Sequence, residues 1–365
     1  MARFARHLQD HTIQNPFQGI VRLEQKLGHP VATRIGSNES MPIDSPALMK
    51  LLGPAGCQLA RSYPDPYAHA LRKLAAGLNQ LEDEQVLFDS GADSLILLAL
   101  RLYCNAGDTV VVSAGSYPAF RYFADGCGTR VVEVSLRTKA DQGLEADLGG
   151  LACAAYQHKA RLVYLANPDN PTGQYYSQSE IERFRHSLPG DCLLVLDEAY
   201  LEFAEPGKAL SQVLPATLRL RTLSKAYALA GLRIGYAIAS ADIIAKADQI
   251  RPQFALSSLA QAAATIALQD QEAATKLLMS TISVREILRE KLLAYGLNVP
   301  PTWTNFVSVH YTDSSRSESI QRQLFNQGIA VHRPTHPAVS HLLRITADSK
   351  ALSEAVLSTL GFPGQ

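Results

Sequence analysis

The sequence has few cysteines, no long apolar run and no excess of charge of either sign. Its 5 cysteines are odd in number and widely spaced, with no C-x-x-C pair, which is typical of reduced thiols and not of a disulfide framework or a zinc site. No apolar segment is long enough to cross a membrane, and the first residues lack the apolar core of a signal peptide. We therefore expect a soluble, cytoplasmic protein with no membrane partner.

Charge and histidine patterning exclude two further classes of partner. Lysine plus arginine and aspartate plus glutamate both number 34, and no basic stripe indicates a nucleic-acid partner. Two histidine pairs have H-x-x-x-H spacing, His7 with His11 and His332 with His336. That spacing brings two metal ligands together only on a helix, and Pro334 argues against a helix in the second pair. The first pair has no nearby cysteine, so no metal site is predicted.

The chain does contain enough apolar residues, 47%, for a sizeable core. From about residue 66, helical and strand-like segments alternate. Several strand-like segments are continuous apolar runs, such as "LVYLA" at 162–166 and "LLVL" at 193–196, which is typical of strands buried on both faces. One later helix is expected to have Ser179 as its N-cap. We predict an α/β domain with a mostly parallel sheet covered by helices on both faces.

The pattern changes after about residue 250. Long helices are predicted between Ser257 and Tyr295, followed by a strand, a helix, two strands and a last helix. That order is typical of a smaller α+β domain. We place the large domain at 42–250 and the small domain at 251–365. Residues 1–41 are expected to pack on the small domain or to cover the site.

Polar residues follow the predicted strands, at the sheet edge where ligands of parallel α/β proteins bind. Asp197 ends an apolar run and is either a helix N-cap, a structural ion pair, or a carboxylate that holds a protonated ring nitrogen. Asn170 lies in the rigid turn "NPDNPTG" and offers an amide. Tyr117 either packs in the core or stacks on a planar ring. Gly91 and Asp93 open a helix whose N–H groups suit a phosphate.

The stretch "RTLSKAYALAGLRIGY" follows another predicted strand. It holds Lys225 close to Thr222 and Ser224, with Arg233 eight residues further on. Hydroxyl and guanidinium groups bind phosphates, and a lysine can condense with an aldehyde. Most lysines are solvated surface charges, so this interpretation depends on the other strand ends. Together the groups fit pyridoxal phosphate, which presents a ring face, a pyridine nitrogen, a phenolic oxygen, a phosphate and an aldehyde.

These motifs resemble those of the fold-type I pyridoxal-phosphate aminotransferases, and most closely those of the histidinol-phosphate branch. They occur in the family's order over nearly the whole chain, and the lysine stretch and "NPDNPTG" are the most specific. The other matching pieces are "SNES" (37–40), "YPDP" (63–66), "GAD" (91–93), "SYP" (116–118), "DEAYLEF" (197–203), "TNFV" (304–307), "GIAV" (328–331) and "LRIT" (343–346). The resemblance implies a large cofactor-binding domain and a smaller α+β domain.

The resemblance also implies a role for several residues of these motifs. Lys225 corresponds to the lysine that binds the cofactor's aldehyde and moves the substrate's proton, and Asp197 to the partner of the pyridine nitrogen. Asn170 and Tyr200 are expected to donate hydrogen bonds to the phenolic oxygen, and Tyr117 to stack on the ring. The phosphate is expected to bind Gly91, Ala92, Asp93, Thr222, Ser224 and Arg233.

Other parts of the resemblance concern the second subunit and the substrate. Tyr63 resembles the tyrosine that reaches the phosphate of the neighbouring subunit, which implies a homodimer. Asn38, Arg344 and Arg333 are expected at the substrate, with Arg344 binding its acid group. The family often has arginine where this sequence has His332, so recognition of a distal phosphate stays open.

The resemblance predicts a transaminase that exchanges an amino group between L-glutamate and 3-(imidazol-4-yl)-2-oxopropyl phosphate, a reaction of L-histidine biosynthesis. Histidinol phosphate is then the amino donor and 2-oxoglutarate the acceptor. Two alternatives stay open: an aminotransferase for another amino acid, or a pyridoxal-phosphate-dependent decarboxylase or cyclase of the same branch in a specialised pathway. A non-catalytic regulator would carry a DNA-binding module, which the sequence pattern does not indicate.

Overall fold

The computed structural model describes residues 3–9, 12–17, 19–141, 143–207 and 212–361. His11, a member of the first histidine pair, lies outside the described residues. In the described part of the chain, no helix combines the length and the hydropathy that a bilayer crossing needs.

Helices and strands are numbered here in chain order. The strands are β1 (Thr33–Arg34), β2 (Val86–Asp89), β3 (Thr109–Ser113), β4 (Arg130–Val134), β5 (Arg137–Thr138), β6 (Leu144–Glu145), β7 (Leu162–Ala166), β8 (Leu193–Asp197), β9 (Thr217–Thr222), β10 (Gly235–Ile238), β11 (Phe306–His310), β12 (Ile329–Ala330) and β13 (Leu342–Thr346). The α-helices are α1 (Arg6–Gln9), α2 (Ile20–Leu27), α3 (Pro46–Lys50), α4 (Gly56–Leu59), α5 (His69–Asn79), α6 (Gly91–Tyr103), α7 (Pro118–Gly126), α8 (Leu148–Gln157), α9 (Gln178–His186), α10 (Leu201–Ala204), α11 (Ala241–Asp248), α12 (Ser258–Gln269), α13 (Gln271–Ala294), α14 (Ser314–Asn326) and α15 (Glu354–Gly361). A π-helix spans Leu51–Ala55, and 3-10 helices lie at Asp83–Gln85, Ala230–Leu232, Pro337–Val339 and Ser349–Leu352.

A seven-stranded sheet, in the order β2-β10-β9-β8-β7-β3-β4, forms the centre of the larger unit. Its strands run parallel except β10, which is antiparallel to both β2 and β9. Leu193 and Val195 of β8 pack in the same core as α6, whereas Leu194 and Leu196 pack in the core of α8 and α9. Side chains alternate across a strand, so a strand covered on both faces needs apolar residues at every position. The prediction of a mostly parallel sheet covered on both faces is confirmed.

The C-terminal part of the chain builds a second α+β unit. Strands β11 and β13 pair antiparallel, and β12 pairs in parallel with β1 of the N-terminal segment. One hydrophobic core joins these strands to α13, α14 and α15, and it includes Ile35 of the N-terminal segment. Asp270 separates α12 from α13, and its carboxylate accepts a hydrogen bond from the Ala273 N–H. The domain boundaries at 42–250 and 251–365 stay a proposal.

The helix expected to have Ser179 as its N-cap begins earlier. Helix α9 has Ser177 at its N-cap, and Ser177 and Glu180 form a capping box. The Glu180 carboxylate accepts from the Ser177 N–H at 2.8 Å. Ser179 also has a glutamate, Glu182, three residues further on, so Ser177 and Ser179 have the same local signal for an N-cap. The prediction of Ser179 as the N-cap is wrong.

A buried ionic network lies beside the carboxyl end of β8. The Glu198 carboxylate, 1% exposed, binds the Arg219 guanidinium at nitrogen–oxygen distances of 2.6 and 3.1 Å. The Arg221 Nη1 approaches the same carboxylate at 3.4 Å. Both arginines lie on β9. The network therefore connects the segment that follows Asp197 to the strand that leads to Lys225.

Replacing Glu198 by Ala would leave the buried Arg219 without its carboxylate partner. We expect Glu198→Ala to lower the free energy of unfolding by about 3–5 kcal/mol, because an uncompensated buried charge is strongly destabilising. Urea unfolding followed by circular dichroism measures this change. Asp191→Ala removes an exposed ion pair with Arg161 and is the matched control, which should change stability little. Similar losses from the two substitutions would contradict the importance of the network.

Candidate active site

Lys225 lies in the connection between β9 and β10, where its amine meets the N-terminal segment. Its Nζ donates hydrogen bonds to the main-chain oxygens of Asn38, at 2.8 Å, and Ser37, at 3.5 Å. The Ser40 hydroxyl donates to the Lys225 main-chain oxygen. Burial lowers the pKa of Lys225 to about 7, and the positive charge of Arg344 adds to this effect. A large fraction of the amine is therefore unprotonated near neutral pH, as a nucleophile or a base requires.

Asp197 is the last residue of β8 and is buried. Its Oδ2 accepts from the Tyr164 hydroxyl at 2.6 Å, and its Oδ1 accepts from the Ala199 N–H at 3.1 Å. Burial raises the pKa of Asp197 to about 6, although the Tyr164 hydrogen bond lowers it. No cation among the described residues contacts this carboxylate, and Tyr200 is the N-cap of α10. Asp197 is therefore neither a helix N-cap nor part of an ion pair.

Tyr200 and Asn38 form a buried hydrogen-bonded pair near Lys225. The Asn38 Nδ2 donates to the Tyr200 hydroxyl oxygen at 2.8 Å, and the Asn38 main-chain N–H donates to the Thr346 hydroxyl at 3.0 Å. The Lys225 Nζ lies 5.9 Å from the centroid of the Tyr200 ring. Among the described residues, the Tyr200 hydroxyl accepts from Asn38 and donates to none, so its proton is available to a ligand.

Arg344, on β13, reaches Asn170 in the turn that follows β7. Its Nη1 donates to the Asn170 Oδ1 at 2.6 Å, and its Nη2 donates to the Gly36 main-chain oxygen at 2.6 Å. The buried Nε has no hydrogen-bond partner in the described part of the chain. Both partners of this guanidinium are neutral oxygens, so its positive charge is not balanced there. An anionic ligand would supply the balancing charge.

The start of α6 packs directly against β10 and Arg233. Gly91 has a φ of 81°, and a Cβ added to it would lie 2.9 Å from the Arg233 Nη2. A Cβ added to Gly235 would lie 2.7 Å from the Gly91 carbonyl carbon and 2.9 Å from the Ala92 nitrogen. Both positions therefore require glycine. The close approach places the N-terminal end of α6, which favours an anion, beside the Arg233 guanidinium.

Hydroxyl groups complete this end of the site. The Thr222 hydroxyl donates to the Ser224 Oγ at 2.9 Å, and both residues are buried. The Tyr117 hydroxyl donates to the Asp93 Oδ1 at 2.9 Å. The Arg233 Nη2 lies 3.5 Å from the Asp93 Oδ2 and its side chain is half-exposed. The structure thus brings the predicted phosphate-binding residues to one end of the sheet edge.

Two predicted site residues make no hydrogen bond to this cluster in the part of the chain described. The Arg333 Nη2 pairs with Glu318 at 3.5 Å, and its Nη1 donates to the Ser340 main-chain oxygen at 3.3 Å. Tyr63 is 86% exposed, and its ring centroid lies 4.9 Å from that of Phe254. The geometry of this single chain therefore leaves the roles of Arg333 and Tyr63 as predictions.

Three residues that contact the site, Tyr164, Thr346 and Asn305, were not among the predicted site residues. Tyr164 donates to Asp197, Thr346 accepts from Asn38, and the Asn305 Nδ2 donates to the Asn38 main-chain oxygen at 3.1 Å. Tyr164 had a usable signal, because a tyrosine inside a buried strand needs a partner for its hydroxyl. Asn305 and Thr346 were marked only as members of the matching stretches "TNFV" and "LRIT", and no local signal indicated their contacts with Asn38.

The geometry can be compared with known protein families. The profile of the aminotransferase class I and II family matches residues 46–360. The chain belongs to this family. The predicted family and fold are therefore confirmed.

Several relatives of this aminotransferase match over three quarters or more of its length. A histidinol-phosphate aminotransferase from Anaeromyxobacter sp. (strain Fw109-5) is 31% identical and covers 97% of each chain. An aromatic amino acid aminotransferase from Nocardia farcinica is 34% identical over 76% of this chain and 78% of its own. The crystal structure of a histidinol-phosphate aminotransferase from Sinorhizobium meliloti in complex with pyridoxal-5'-phosphate has a TM-score of 0.89 at 33% identity, covering 99% of this chain and 96% of that one.

The depressed pKa of Lys225 makes the stability of the aminotransferase depend on pH. Between the folded value of about 7 and the ordinary value of 10.5, the unfolded chain binds more protons, so the free energy of unfolding rises with pH. Methionine does not titrate. The stability that Lys225→Met gains over the wild type should therefore shrink as the pH rises from about 7 to about 10.

Urea unfolding of both proteins without cofactor, at several pH values in this range, measures the difference. A gain in stability that stays constant with pH would contradict a depressed pKa. A loss of stability at neutral pH would show that the hydrogen bonds of Nζ to Ser37 and Asn38 outweigh its desolvation.

Proposed function

We propose that the chain is a cytoplasmic, pyridoxal-phosphate-dependent transaminase that transfers an amino group from histidinol phosphate to 2-oxoglutarate. The observation that carries the proposal is one sheet edge with three components. These are the Lys225 amine with a pKa of about 7, the buried Asp197 carboxylate, which contacts no cation of the described residues, and the start of α6 at Gly91 beside Arg233. The relatives with high coverage support the choice of substrate.

The residues present fit pyridoxal phosphate. The N-terminal end of α6, at Gly91, lies beside the Arg233 guanidinium, and main-chain N–H groups next to a cation suit a phosphate. Asp197 is a buried acceptor without a cation among the described residues, which suits a protonated ring nitrogen. Lys225 supplies an amine for the aldehyde. The phosphate, the ring nitrogen and the aldehyde of the cofactor would thus each have a matching group.

When bound, the cofactor withdraws electrons from the substrate's Cα and makes its proton acidic. We assign Lys225 the task of taking that proton and returning it. Asp197 would hold the proton on the ring nitrogen, and Tyr117 would cover one ring face and exclude water. Tyr200, whose proton is available, and the Asn170 amide, whose Oδ1 is engaged by Arg344, would donate hydrogen bonds to the phenolic oxygen.

We assign Arg344 the task of binding the carboxylate or phosphate of the substrate. Its Nε lacks a partner within the described residues, and a guanidinium binds a carboxylate or phosphate through paired hydrogen bonds. Asn38, also predicted at the substrate, has its amide on Tyr200. We therefore propose that Asn38 orients Tyr200 and does not bind substrate through its side chain.

A second candidate is transamination of an aromatic amino acid. The pairing of Arg333 with Glu318 and with the Ser340 main-chain oxygen occupies the arginine expected at a distal phosphate. An aromatic amino acid has a carboxylate and no phosphate, so Arg344 alone would suffice. The Nocardia farcinica relative points the same way.

A substrate panel separates the two candidates. With histidinol phosphate and 2-oxoglutarate, we expect the wild type to form glutamate with a higher kcat/KM than with phenylalanine or tyrosine as donor. Lys225→Ala should reduce that rate by about 10²–10⁴-fold, the usual contribution of a positioned proton-transfer group. Glutamate formation is followed by a coupled dehydrogenase assay. Turnover confined to aromatic donors would reject histidinol phosphate, and undiminished turnover by Lys225→Ala would reject the role of the lysine.

We also propose that the active unit is a homodimer in which Tyr63 reaches the partner's site. Its side chain is 86% exposed, and its hydroxyl has no hydrogen-bond partner among the described residues. An exposed tyrosine in contact with a second exposed aromatic residue, Phe254, is typical of an interface.

Subunit mixing tests this arrangement. Tyr63→Phe and Lys225→Ala homodimers should each be impaired. After refolding together, hybrid dimers would contain one site with both Lys225 and Tyr63 intact, so activity should exceed that of either variant alone. Sedimentation velocity measures the oligomer, with the separately refolded variants as controls. A monomer, or a mixture with only the average activity of its components, would contradict the proposal.

A further inference from the structure

Tyr164 is a fully buried tyrosine on β7, the strand next to β8. Its hydroxyl donates to the Asp197 Oδ2 at 2.6 Å. Its ring stacks on Phe120 of α7, with the centroids 4.5 Å apart and the planes inclined by 19°. The stack fixes the ring, and the pairing of β7 with β8 fixes the distance between the strands. The hydroxyl therefore has little freedom to point elsewhere.

The surroundings of Asp197 disfavour its charged form. Burial raises its pKa, and the negative charges of Asp93 and Glu198 raise it further. The other titratable groups that interact with it are the hydroxyls of Tyr117 and Tyr200. Two hydrogen-bond donors, the Tyr164 hydroxyl and the Ala199 N–H, lower the pKa of Asp197. Hydrogen bonds from two donors favour an ionised carboxylate.

Tyr164 can serve as a constant donor. Burial raises the pKa of its hydroxyl well above the ordinary value, so the hydroxyl stays protonated over the whole range in which Asp197 titrates. A hydrogen bond to a charged group contributes more than one between neutral groups. Of the two donors, only the side chain can be removed by substitution without altering the main chain.

We propose that Tyr164 is a positioning residue, which holds the Asp197 carboxylate in place and in its ionised form for the ring nitrogen of the cofactor. The inference rests on the proposed function, because it needs a protonated ring as the partner of Asp197. The simpler alternative is that Tyr164 only fills the core between β7 and α7. Tyr164→Phe separates the two, since it keeps the ring and its stack on Phe120 and removes only the hydroxyl.

The test measures the binding of pyridoxamine 5'-phosphate to the cofactor-free protein between pH 5 and 9. This probe has no aldehyde, so its binding does not require an unprotonated Lys225. In the wild type, affinity should fall as the pH drops through the titration of Asp197 near pH 6. In Tyr164→Phe the fall should begin about one pH unit higher, so binding is about tenfold weaker at pH 5 and nearly unchanged at pH 9.

Tyr176→Phe is the matched control. It also removes a tyrosine hydroxyl with a short hydrogen bond, to the Ala146 main-chain oxygen at 2.5 Å, but that hydroxyl does not contact Asp197. Its pH profile should coincide with that of the wild type. In a second control, adding Tyr164→Phe to Asp197→Asn should leave the pH profile of Asp197→Asn unchanged, because no carboxylate remains to be shifted.

Each result of this experiment decides between the interpretations. Equal pH midpoints for the wild type and Tyr164→Phe, or an affinity loss that is uniform with pH, would overturn the positioning role. A shift of the same size in Tyr176→Phe would assign the effect to general loss of packing and would overturn it too. A wild-type protein that does not bind the probe at any pH would overturn the proposed function, and this inference with it.

Discussion

Arg344 and Lys225 lie close enough in one buried volume for the arginine's charge to disfavour protonation of the lysine. Much of the surrounding structure depends on how these two cations are held. The Gly36 main-chain oxygen accepts from Arg344, and the Asn38 main-chain oxygen accepts from Lys225. The N-terminal segment therefore binds both cations through uncharged oxygens, which tether them without cancelling their charge. Pairing of β1 with β12 attaches that segment to the C-terminal unit.

The fold determines where such charges can lie. Strands β3, β7 and β8 are covered on both faces and carry no charged side chain before their last residue, and the two buried arginines of β9 reach the Glu198 carboxylate just after the end of β8. Charged groups therefore collect at the carboxyl ends, where Asp197 and the start of the Lys225 connection emerge from neighbouring strands. Asp197 pairs across β8 and β9 with Leu220, five residues before Lys225. The adjacency of β8 and β9 thus brings the Asp197 carboxylate and the Lys225 amine to one edge of the sheet.

Sequence alone predicted the residues whose signals are local. Asp197 and Lys225 stand out because each lies at or just after the end of a strand-like run, and the small-residue start of α6 at Gly91 is readable for the same reason. The partners of these residues were not predictable, since they are distant in the chain. Asn38 and Tyr200 are 162 residues apart, and no spacing rule links such positions. Local signals also have a limit. Ser177 and Ser179 have equivalent signals for the N-cap of α9, and only Ser177 is the cap.

Arg333 shows why the substrate is harder to predict than the cofactor. Its ion pair with Glu318, whose side chain is 51% exposed, belongs to a class that contributes about 0–1 kcal/mol. A dianionic phosphate could displace Glu318 at little cost. Arg344, in contrast, is already held by neutral oxygens and keeps its charge for a ligand. An amino acid offers its α-carboxylate to Arg344, whereas histidinol phosphate has no carboxylate and offers a phosphate, which Arg333 can bind only after it leaves Glu318. The choice between the two therefore depends on a side-chain movement, and not on which residues the sequence contains.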